Sequence, residues 1–200
     1  MRVDREGAVR VDREGAVRVA AAIAAMALLV VACNAGEPAA PPAAVPDGWV
    51  EHDFGDGAIA VPAEWEALDP IQDDVLMLRE PDPDHGPPFV ARIGLTGRDP
   101  VPVENLLGLV SAQLFSQFPD VEPQGDATVE LHGAEEAMHR TFRYTSLVEG
   151  EEMLLEERFV VAWYGEDGQA QLRIGGPAER FAAEQELIDR IVESLRFQEG

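Results

Sequence analysis

The chain has 200 residues, 46% of them hydrophobic, with 38 acidic residues against 15 arginines and no lysine. That apolar content excludes a disordered chain despite the charge, and the length fits one domain with a real core. A formal charge of −23 makes a surface that repels nucleic acid and anionic headgroups, because phosphate binding rests on clustered Lys and Arg.

At the N-terminus, Arg2 to Val9 recurs as Arg10 to Val17. Repeats that build a fold are at least about 20 residues long, so this one implies no architecture. It does leave three equivalent starts, at positions 1, 9 and 17, of which the last gives the cleanest leader. Arg18 then precedes an apolar run of 14 residues, Val19 to Ala32. Spanning a bilayer takes about 20, whereas a secretory h-region takes roughly 7–15 with small residues at the cut. The run ends in Val30-Val31-Ala32-Cys33, and Cys33 is the sole cysteine. It has no partner for an internal disulfide. This segment resembles the lipobox of bacterial lipoproteins, which implies cleavage between Ala32 and Cys33 and a diacylglyceryl group on Cys33. A single acyl chain anchors only marginally and two anchor stably, so the implied partner is the membrane, with the protein on its extracytoplasmic face. Residues 1–32 are thus expected to be a signal peptide. Residues 33–47, with four prolines between Asn34 and Asp47, read as the lipidated cysteine and a semi-rigid, extended tether. Removing the signal leaves 168 residues with 10 arginines and 34 acidic residues.

Residues 48–198 read as one α+β domain. Trp49 to Phe54 and Ala58 to Val61 predict two strands around Gly55-Asp56-Gly57, a turn that needs positive φ, and Pro62 ends the hairpin. The continuous apolar run Val75 to Leu78 predicts a strand buried on both faces. Pro81 to Pro88 reads as a loop, and Phe89 to Leu95 alternates as a half-buried strand. Val103, Leu106, Leu107, Val110, Leu114 and Phe118 then make a helical stripe between Pro102 and Pro119. Ala127 to Leu131 predicts a short strand. Two long paired strands follow, one with Met138, Phe142 and Tyr144 in a row, the other with Met153, Leu155, Phe159, Val161 and Trp163. Glu149-Gly150 joins them, and Gly165 to Gly168 leads to a third strand through Ala170, Leu172 and Ile174. Gly175-Gly176-Pro177 is expected to break that strand and start a final helix with Phe181, Ile188, Ile191, Val192 and Leu195 buried and a Glu186–Arg190 pair. Arg196-Phe197 resumes an extended segment.

Strands, a helix, an antiparallel meander and a terminal helix predict an α+β fold, an antiparallel sheet of about six to eight strands flanked by two main helices. Gly57, Ile59, Val61, Pro62 and Trp65, the Gly133-Ala134 step, and the closing Ile191, Ser194, Leu195, Arg196 and Phe197 carry a resemblance. They resemble the PsbP/Mog-type fold of actinobacterial LpqN/LpqT lipoproteins and DcrB-like envelope proteins, over about the whole of residues 48–198. The resemblance implies a non-enzymatic accessory or binding role toward an envelope lipid, glycan or membrane protein.

No catalytic residue and no cofactor is expected. None of Ser111, Ser116, Ser146 and Ser194 sits in a Gly-x-Ser-x-Gly elbow. The histidines, His52, His85, His132 and His139, are scattered, and neither Asp82, Asp84 and His85 nor Asp53 and Asp56 has the spacing of a calcium loop. The candidate ligand or partner face is His139, Arg140 and Arg143. His139 and Arg143 share one strand face with Thr141, and Arg140 interrupts an apolar row. Such an arginine needs a partner, either a carboxylate such as Glu157 or a ligand in a pocket. Two rival readings follow from the same residues: a secreted hydrolase built on His139, Arg143 and an acid, or a structural spacer. A deep pocket with a His–carboxylate pair separates the hydrolase from a binder with a shallow apolar groove.

Overall fold

The first hairpin forms as β1 (Trp49–Phe54) and β2 (Gly57–Pro62), in register from Trp49↔Pro62 to Phe54↔Gly57. The computed structural model describes residues 44–69, 75–83, 86–97 and 102–198. The leader, Ala32, Cys33 and the tether up to residue 43 lie outside the described residues. Chain contacts divide the protein into Met1–Ala40 and Pro41–Gly200. Both buried apolar clusters draw every residue from the second unit, so that unit carries its own cores and folds as a domain.

Its main element is a seven-stranded antiparallel sheet, β3-β4-β5-β9-β8-β7-β6 in spatial order. The strands are β3 (Glu66–Leu68), β4 (Val75–Arg79), β5 (Val90–Gly97), β6 (Glu122–Thr128), β7 (Ala134–Val148), β8 (Glu151–Tyr164) and β9 (Gly168–Pro177). The expected α+β class and sheet size hold. β1 and β2, however, leave the main sheet and join β10 (Arg196–Phe197) in a separate three-stranded one.

Because side chains alternate along a strand, the sheet buries two faces at once. On one, Phe142 and Tyr144 of β7 and Phe159 and Val161 of β8 meet α1 (Val103–Gln117) through Leu106, Leu107 and Leu114. On the other, Val160, Ala162, Leu172 and Ile174 meet the small sheet and the paired helices α2 (Ala178–Ala183) and α3 (Gln185–Glu193). Phe197 stacks on Tyr164 with ring centroids 4.4 Å apart. The Ser194 hydroxyl accepts from Ala60 N–H at 2.9 Å and lies within donating reach of Ile191 and Ala60 carbonyls. That stitches the end of α3 to β2, and it gives the closing Ile-x-x-Ser-Leu-Arg-Phe segment a structural task.

Several expectations change. β6 runs over Glu122–Thr128 rather than Ala127–Leu131, every residue of it exposed; its backbone pairing to β7, with an irregularity between Pro123 and Gly125, forms it without any apolar signal. β4 is buried on both faces only in part, with Val75 and Leu78 buried on opposite sides and Leu76 and Met77 half-exposed. β8 fills both faces rather than one row. Gly175 and Gly176 do not break β9 but lie within it. They serve close approach: a Cβ at Gly175 would fall 2.3 Å from Glu157 Cγ, and one at Gly176 2.6 Å from the Phe89 ring. The final helix is two helices, interrupted at Glu184 (φ −113°, ψ 26°). Among the described residues, the Glu186–Arg190 pair is not formed and no helix is long and apolar enough to cross a membrane.

Candidate ligand-binding groove

The three residues singled out in the sequence do not come together. His139 and Arg143 share the helix-pair face of β7, four residues and therefore about 13 Å apart, whereas Arg140 points to the α1 face. Arg143 is opposite Glu156 and donates to it at 2.6 and 3.0 Å; Glu156 is only 5% exposed, so a buried carboxylate is neutralised by its cross-strand neighbour. Arg140 does not meet Glu157. It donates to Asp126 of β6 at 2.7 Å and to the Ser111 hydroxyl of α1 at 2.8 Å. The register explains this, since Asp126 is its Cα partner, a pairing hidden when β6 is placed five residues late. Arg140 is thus a tie between sheet edge and helix.

His139 is half-buried, with an Nδ1 that has no hydrogen-bond partner. Burial pushes its pKa down and the Arg158 guanidinium adds to that, while Asp189 and Asp126 oppose. Arg158 itself is spoken for by Asp189 of α3. Among the described residues no carboxylate bonds His139, and it lines none of the depressions described below. No group of acidic or histidine side chains able to hold a metal occurs among the described residues.

The open feature lies elsewhere. α1 covers the β7–β8 half of its face, and the same face continues over β9, β5 and β4 with no other helix or strand of the described residues upon it. The register places Phe159, Arg173, Arg92 and Met77 in one row across β8, β9, β5 and β4. Phe159 closes the row under α1, and the rest is the floor of an open groove of about 420 Å³, walled by Val90, Leu155 and the Pro87–Pro88 turn. Arg173 donates to Glu157 at 2.8 Å and lies 4.5 Å from the Phe159 ring centroid, so a cation–π contact and an ion pair both hold it. Burial, then the Glu157 carboxylate, raises the Tyr144 hydroxyl above its ordinary value, with Arg173 opposing; Tyr144 is therefore protonated beside the floor. A second depression of about 630 Å³ flanks the groove across Pro87 and Pro177, with Arg143 and Arg180 in its lining.

The groove's rim is clamped from below. Arg180 of α2 donates to both oxygens of Glu80 at 2.8 and 2.9 Å, to Glu184 at 2.9 Å and to the Pro87 carbonyl at 3.3 Å. Its guanidinium lies 4.6 Å from the Phe89 ring centroid, and Glu80 also accepts from Phe89 N–H at 3.0 Å. The proline loop is thus fixed to the body at both ends of its turn.

Three solved structures share the fold of this chain. Cyanobacterial PsbP from Synechocystis superposes with a TM-score of 0.54 at 10% identity, covering 81% of this chain and 100% of that one. LpqN of Mycobacterium tuberculosis, described as involved in cell envelope biogenesis, gives 0.50 at 16% identity over 80% and 99%. The fold is that of PsbP and LpqN. A protein of unknown function from Pseudomonas aeruginosa, PA94, described as a putative regulator, has the same PsbP-like fold, with a TM-score of 0.50 at 10% identity over 73% and 94%. No protein-family model and no curated protein matches the sequence. At these identities the PsbP-like likeness establishes architecture alone.

Arg92, Arg173 and Met77 were not among the candidates read from the sequence. Alternation in Phe89 to Leu95 does put Arg92 on the polar row, but its juxtaposition with Arg173, about 80 residues later in the chain, depends on β5 pairing with β9, which no local pattern encodes.

Proposed function

We propose that this is a lipid-anchored, extracytoplasmic protein with a non-enzymatic binding role in the cell envelope, and that the uncovered half of its sheet is the binding surface. The observation that carries the reading is Cys33, a lone cysteine closing a 14-residue apolar run. Acylation there would hold the domain at the membrane through a proline-rich tether. The groove supports the binding role: it is shallow, apolar-walled and built on rigid strands, while His139 has no carboxylate bonded to it among the described residues. The LpqN likeness adds an envelope protein on the same fold. The class of binding partner is an envelope lipid, a glycan or a membrane protein.

The test has two arms. Mass spectrometry of the membrane fraction should find a mature N-terminus at an acylated Cys33, and Cys33→Ser should move the protein out of that fraction. A photo-crosslinking residue at Met77, used in native membranes, should trap an envelope component that the same residue at exposed Glu64 does not. A mature N-terminus elsewhere, or identical adducts from both positions, refutes the proposal.

A further inference from the structure

Arg92 and Arg173 are Cα partners across β5 and β9. Like charges directly opposite on one sheet face destabilise it, with Cβ atoms about 5 Å apart. Elsewhere on the sheet a carboxylate lies directly opposite the arginine and compensates it, as in Arg143–Glu156 and Arg140–Asp126. Arg173 has its compensation diagonally, from Glu157. Arg92 is exposed and has no ion-pair partner among the described residues. Among the described residues, the floor thus presents one guanidinium without an ion pair, and Met77, Val90 and Leu155 surround it with apolar surface. Glu149, at the exposed tip of the β7–β8 hairpin, also lines the groove.

Resting on the reading of the groove as the binding surface, we propose that its ligand is an anionic amphiphile, with one carboxylate or phosphate group seated on Arg92 beside Arg173 and an alkyl chain lying along Met77, Val90 and Leu155. Guanidinium groups suit this because they bond oxyanions in a planar, bidentate fork. A volume of about 420 Å³ falls within the usual range for small-ligand sites, roughly 300–1,000 Å³. The acidic surface does not oppose it. At physiological salt charges are screened beyond about 8 Å, so a headgroup on Arg92 feels its neighbours, whereas a whole anionic bilayer meets the −23 field and is repelled. The chain would then take single amphiphile molecules and not dock on the sheet of them.

Isothermal titration of residues 34–200 with monododecyl phosphate, monolaurin and inorganic phosphate tests the proposal, since that part holds both cores. Wild type should bind monododecyl phosphate about tenfold or more tighter than monolaurin, the worth of a charge-assisted contact, and inorganic phosphate far more weakly than either. Arg92→Gln should abolish the preference for monododecyl phosphate over monolaurin; an amide-shift map of the wild type with monododecyl phosphate should centre on β4, β5 and β9. Equal affinity for monododecyl phosphate and monolaurin overturns the headgroup assignment while the groove stands as a binding surface. Inorganic phosphate binding as tightly as its dodecyl ester overturns the chain. No binding of either dodecyl compound, or shifts confined to other strands, overturns both the inference and the groove itself.

Discussion

Arg180→Met removes the side chain that fixes the proline loop to α2, and its cost follows from the geometry. The substitution deletes four hydrogen bonds to carboxylates and one to Pro87 O, leaving Glu80 and Glu184 facing one another. Arg180 and Glu80 are 18% and 17% exposed, so neither is fully solvated. Removing one partner of a fully buried pair costs about 3–5 kcal/mol. With about a fifth of each side chain in water, the expected loss is about 2–4 kcal/mol. Urea unfolding of residues 34–200 should show it as a midpoint lower by about 1–2 M, for a slope of about 2 kcal/mol per molar. The acid limb gives an independent check. Burial pushes the Glu80 carboxyl up, but the Arg180 bonds and Phe89 N–H outweigh it and hold it below its ordinary 4.5. A lowered native pKa means stability that is complete above 4.5 and lost as pH falls through the native value. Without Arg180 only the upward push of burial and the Phe89 bond remain, so the variant should lose less stability than wild type as pH falls from about 5 to about 3. A variant within about 0.5 kcal/mol of wild type, with an unchanged acid slope, refutes the clamp and makes the pair an ordinary surface bridge.

Arg140→Met should stay within about 1 kcal/mol of wild type in the same unfolding assay, because Asp126 is 45% exposed and rehydrates and Ser111 keeps its bond to Leu107 O at 2.7 Å. A loss above about 3 kcal/mol would mark it as a buried charge with no alternative. Gly176→Ala should cost about 1–3 kcal/mol, since its methyl group meets the Phe89 ring at 2.6 Å; Gly125→Ala, with nothing within 4 Å but φ at +131°, should cost backbone strain without disturbing the Phe89 environment, so only the first should move the NMR amide shifts of β9. His139 titrates below its ordinary 6.5 because of burial and Arg158, so the native state disfavours its charged form. Its contribution is complete above 6.5 and lost as pH falls through the native value. His139→Gln should flatten the stability profile in that window, and an unchanged profile between wild type and variant counts against the shift.

Elements with a periodic apolar signature were legible in the sequence. The α1 stripe from Val103 to Leu114, the first hairpin and the three-strand meander all appear where the pattern puts them, because each buries a face that its own residues define. Elements held by backbone pairing were not. β6 contains Pro123, Gly125 and two acidic residues, and β3 is three residues long; neither carries a hydrophobic period. The same limit hid the groove. Its floor is assembled from Met77, Arg92 and Arg173, residues brought level only by the register of distant strands, and their chemistry is ordinary until they stand side by side. The row containing His139 and Arg143 was correctly placed on one face, but strand geometry spaces those two too widely for one site. Arg140's partner stays hidden because β6, exposed throughout, has no apolar pattern that would set Asp126 opposite it.

The borders of the large sheet have a further consequence. Along one border, Pro123 offers no donor, the ladder slips at Gly125, and exposed Glu122 puts negative charge where an incoming strand would lie. The other border is the three-residue β3, too short to template a ladder. Copies of a sheet protein stack into ribbons through open edges, and here neither selvedge of the fabric can be sewn to another.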